Sequence, residues 1–94
     1  MTNEQLVERA RRAKSMLDSD LWEESWGAYR ARLIEIIETA HDDAAALEAR
    51  RMLRAAGEAR AHLARIISDG AVAAADIKLD GERKRASRWN VLGV

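Results

Sequence analysis

"LWEESWGAYRARL", residues 21–33, is the stretch on which the fold turns. The chain has no Phe, and two of its three Trp and its only Tyr fall here. Trp22, Trp26 and Tyr29 are spaced four and three apart, and Leu33, Ile36 and Ala40 continue the alternation. That spacing sets all six along one face of a helix, as in a coiled-coil seam. Downstream, Ala45, Ala49, Met52, Ala56, Ala59, Leu63, Ile66, Gly70, Ala73 and Ile77 repeat the pattern. Folding the chain back at Asp42–Asp43 makes residues face one another when their numbers sum to about 85. Leu33 then meets Met52, Tyr29 meets Ala56, Trp26 meets Ala59 and Trp22 meets Leu63. Bulky residues oppose small ones at most levels, which lets two helices approach without voids. The expected core is therefore Trp22, Trp26, Tyr29, Leu33, Met52 and Leu63, and the aromatic rings are read as packing rather than as a ligand-stacking platform.

Working outward, "SMLDSDLWEE" interrupts the chain before this seam. Asp20 with Glu23 has capping-box spacing, and Ser19 is a second candidate cap. Leu6, Ala10, Ala13 and Leu17 form a shorter apolar stripe upstream. Thr39, Asp42 and Asp43 can each cap the helix that follows. Gly70 could end that helix, but the apolar pattern keeps phase across it, so continuation is expected. Beyond it, "ERKRASRWNVLGV" loses the periodicity and reads as a tail. The expected fold is all-α: an antiparallel helical hairpin (about 20–40 and 43–77) preceded by a shorter helix (about 3–17). Residues 1–80 form one helical domain and residues 81–94 an extended basic tail.

Composition supports helices throughout. Ala, Arg, Leu and Glu dominate, Pro is absent, and there is no Cys to form a disulfide or a thiolate metal site. Net charge is zero, yet the ends are basic and the middle acidic. Residues 1–17 carry four basic against two acidic groups, residues 18–58 five against ten, and residues 78–94 five against two. The polar opening "MTNEQLVERARRAK" lacks the apolar segment of a secretory signal. No run reaches the roughly 20 apolar residues of a membrane span. A non-secreted, non-membrane protein is expected. Leu21, Ile34, Ile37, Leu47, Leu53 and Ile67 lie off the hairpin seam. Neighbouring subunits would cover part of that surplus, so a homo-oligomer is expected.

Chemistry finds little support. Glu38 and His41 have the spacing of a di-iron helix, but the positions facing them, Leu47 and Ala44, are not ligands. No serine has a histidine and an orienting acid at helical spacing, and no glycine-rich phosphate loop occurs. No catalytic, cofactor or metal residues and no small-molecule substrate are expected. Arg50, Arg51 and Arg54, with Arg30 and Arg32 across the hairpin, are candidate nucleic-acid contacts. The tail carries the candidate partner-docking residues: Arg83, Lys84, Arg85, Arg88, Trp89, Val91 and Leu92. A basic run joined to a short apolar end can dock in a partner's groove.

Four stretches resemble small all-helical proteins of tailed bacteriophages: "ERARRAKSMLDSDLWEESW", "RLIEIIETA", "EARRMLRAAGEARAHL" and "DGAVAAADI". The resemblance covers residues 4–77 and leaves the tail outside. Ser19-Asp20 stands where many of those proteins carry a Pro-containing cap, and their Trp near position 37 is missing. The resemblance implies a phage setting, in the host cytoplasm or the virion, and no catalytic site. A structural or accessory role in virion assembly follows, with phage structural proteins as partners. The alternatives are a small-terminase-like nucleic-acid-associated ring and an inhibitor of a host defence protein.

Overall fold

The structure is a computed structural model and describes residues 1–91. It consists of three helices, α1 (Asn3–Leu17), α2 (Asp20–Thr39) and α3 (Asp43–Val91), with no strand among the described residues. Each start has a local cause. Thr2 caps α1 through its side-chain oxygen, which accepts from the Gln5 N–H at 3.1 Å, and Gln5 answers by accepting from the Thr2 N–H at 2.8 Å. Ser19 is the N-cap of α2 without a side-chain cap bond, and Asp20 is already inside the helix. The Asp20–Glu23 capping box is therefore not formed. The Asp42 carboxylate accepts from the Ala44 N–H at 2.9 Å at the start of α3.

α3 is the spine. Its 49 residues span about 74 Å at 1.5 Å per residue, nearly the whole 79 Å length of the molecule. α1 and α2 both pack against α3 and scarcely touch each other. Glu23 and Trp26 of α2 meet Arg60, whereas Leu6 and Ala10 of α1 meet Gly70. α2 thus covers the first half of α3, and α1 covers the second.

The contact row on α3 differs from the expected seam. The row that faces α2 and then α1 is Ala46, Ala49, Leu53, Ala56, Arg60 and Leu63, followed by Ile66, Gly70 and Ala73, with Gly57 and Ile67 half-buried beside it and Gly81 further on. The steps alternate three and four as far as Leu63, where two threes fall in succession. Such a stammer rotates the stripe around the helix, and it coincides with the handover from α2 to α1. Along α2, Ala49, Ala56 and Leu63 fall where expected, while Ala46, Leu53 and Arg60 take the place of Ala45, Met52 and Ala59, so the seam as a whole is turned by about 50°, half a residue. Met52 is consequently 45% exposed and Tyr29 43% exposed, so neither is core. Leu33 is buried, and Trp22, Trp26 and Leu63 are half-buried.

Gly70 does not end α3. Its missing side chain lets α1 press close: a Cβ there would collide with the Ala10 Cβ and lie 3.1 Å from the Leu6 carbonyl oxygen. The helix also continues past residue 80, so residues 81–91 are helical rather than extended. Apolar periodicity stops there, but Glu, Arg, Lys and Ala sustain an exposed helix by propensity, and Lys84 pairs with Asp80 one turn back at 3.3 Å.

Candidate interaction surfaces

The aromatic cluster of α2 is both packed and partly wet. Trp22 and Trp26, four residues apart, stack with centroids 6.4 Å apart and planes 9° from parallel. The Arg60 guanidinium reaches across from α3 to lie 5.3 Å from the Trp26 ring centre, and it donates to the Glu23 carboxylate at 3.2 Å. One cation therefore serves a ring face and an acid together, which fixes α2 against α3 at this level. The Trp22 indole N–H is buried without an acceptor among the described residues. Sequence reasoning placed Ala59 opposite Trp26 and missed Arg60. The signal was available, because Arg60 stands within one residue of that pairing and is the cation nearest to both Trp26 and Glu23.

At the far end of α3, Arg83, Lys84, Arg85 and Arg88 are exposed, and Trp89 is 57% exposed. Arg85 and Trp89 are four residues apart and share a face. Cations in the last turns complement the negative end of the helix dipole, so the basic run stabilises the element that carries it. The side chain of Val91 lies outside the described residues, as does the whole of Leu92. The docking residues seen are thus one helical arm with a ring near its tip.

The arginines of the acidic middle are divided. Arg50 and Arg54 share a face of α3, while Arg51 points about 100° away. All three are exposed, and Arg54 pairs with Glu58 at 3.5 Å. Among the described residues no three His, Asp or Glu side chains converge on a point where a metal ion could sit. No helix of the described residues is long and apolar enough to cross a membrane.

No protein-family model matches the chain, and no curated protein or solved structure is significantly similar to it.

Proposed function

We propose that the protein is a non-enzymatic, oligomeric component of tailed-phage assembly, structural or accessory, acting in the host cytoplasm or the virion. Its body is an antiparallel helical hairpin extended by α1, and the end of α3 docks it on phage structural proteins. The observation that carries this reading is the arm itself. Residues 82–89 present four cations and a Trp to solvent on a helix that runs beyond its packing partners. Exposed Trp and Arg are the side chains that most often dominate the energy of protein interfaces. The phage setting comes from the resemblance of residues 4–77. Deleting residues 82–94 tests the reading: the shortened chain keeps its helical signal but no longer enters purified particles. Undiminished incorporation would refute it.

A second reading is favoured by Arg30, Arg50 and Arg54, which lie on one side of the α2–α3 pair. It is a nucleic-acid-associated ring. Duplex binding that weakens steeply with added salt, and that Arg50→Ala with Arg54→Ala reduces, would favour it over docking through the arm.

A further inference from the structure

Two measures say that the protomer is not a finished globule. A compact chain of 10.5 kDa exposes about 5,400 Å², yet this one exposes 7564 Å². Its radius of gyration is 21.8 Å, against about 12 Å for a compact chain of 94 residues. Among the described residues, only Ala13, Leu33, Ala49 and Ala73 are buried hydrophobic residues. The surplus surface, about 2,100 Å², exceeds the roughly 800 Å² that each partner contributes to a standard interface.

Part of the surplus belongs to the exposed end of α3, and part lies beside the α2–α3 contact. Three adjacent rows of α3 run along α2, and α2 covers two of them, Ala46–Leu53–Arg60 and Ala49–Ala56–Leu63. Ala45, Met52 and Ala59, the third row, stay exposed. On α2, Tyr29 is 43% exposed and is turned from Leu33 in the same rotational sense, with the half-buried Ile36 beside it. In an antiparallel pair, positions turned in the same sense emerge on the same side, as the flanking positions of coiled coils do. The five residues therefore make one apolar flank. Met52 lies level with the midpoint of Tyr29 and Ile36, at the centre of the flank, so a two-fold passing near it brings the same surface of both copies together. Its outer edges are charged: Arg32 borders it on α2 and Glu48 on α3, and neither makes an ion pair among the described residues. A two-fold that lays α2 over α3 of a second copy brings Arg32 beside the partner's Glu48.

We propose that a second copy of this chain covers this flank, closing a four-helix arrangement centred on Met52. The proposal rests on the oligomeric reading above and names the surface that serves it. Sedimentation equilibrium of the full chain should give twice the 10.5 kDa mass or a higher even multiple. Met52→Glu should raise the dissociation constant by about 30-fold or more, because it places an unpaired charge in the interface. Leu47→Glu should leave it unchanged: Leu47 is as exposed as Met52 but lies off the flank. The chain has no Cys, so Met52→Cys supplies a single thiol. Mild oxidation should link two copies through Cys at that position and not in Leu47→Cys, whatever Met52→Glu does to folding. A monomeric wild-type chain would overturn both the oligomeric reading and this interface. An oligomer that Met52→Glu leaves intact and Met52→Cys does not link would overturn the interface alone.

Discussion

Gly27 and Gly70 have the same residue type and opposite demands. A methyl group at Gly27 meets nothing within 4 Å, so Gly27→Ala should stabilise the protein by up to about 1 kcal/mol through helix propensity. At Gly70 the same change drives a methyl into Ala10 and the Leu6 carbonyl, and it should destabilise by about 1–3 kcal/mol. Urea denaturation of the two variants checks the signs, and a stabilising Gly70→Ala would contradict the close approach. Arg60→Ala should redshift Trp fluorescence by wetting the Trp26 face, at a cost of about 0.5–1 kcal/mol. An unchanged spectrum would mean that the guanidinium does not cover the ring. That Glu23 and Trp26 of α2 meet α3 near residue 60 agrees with the three-and-four repeat of both segments. The rotation was not legible in the sequence. Ala45 and Ala46 are equally apolar, and so are Met52 and Leu53, so exchanging one row for its neighbour leaves the pattern nearly as good as before. Only the real contact shows that Leu53 goes in and Met52 stays out.

Among the elements, α1 is the best defined at its ends. The Glu8 carboxyl is pulled from an ordinary 4.5 to about 2: the hydrogen bonds from Arg11 act most strongly, desolvation opposes them, and the charges of Arg11 and Arg12 add to the lowering. Because the folded value is depressed, the stabilisation is present above pH 4.5 and is lost as pH falls towards 2. Carboxyl NMR should place the Glu8 midpoint near 2 at low salt. A midpoint near 4.5 would contradict the pairing. Added salt should raise the midpoint, since the pair is on the surface. At the other end of the chain, the sequence reading ended the regular structure too early. Loss of apolar periodicity after Ile77 predicts loss of helix, but α3 runs on to Val91. Periodicity reports burial on one face, whereas an exposed helix needs only favourable propensity and no breaker, and residues 82–91 contain neither Gly nor Pro. Lys84→Pro should therefore remove helical signal from the arm while leaving thermal unfolding of the body nearly unchanged.

At the scale of the molecule, a broken outer strand, α1 and α2, lies along one continuous inner helix. The break at Asp18–Ser19 stands opposite the change of stripe at Leu63, so the two irregularities belong together: α3 turns its apolar face just where its partner changes. That arrangement explains the length, the thin core and the apolar surface left for other molecules. It rests on α1 and α2 packing on different halves of the same α3. An isotope-filtered NOESY spectrum on a mixture of labelled and unlabelled chains tests this directly. Within one chain, the Ala10 methyl should show a cross-peak to the Gly70 α-protons, and the Trp26 ring should show one to the Arg60 side chain. An Ala10 methyl with no intrachain contact to Gly70, while Trp26 still meets Arg60, would contradict the account.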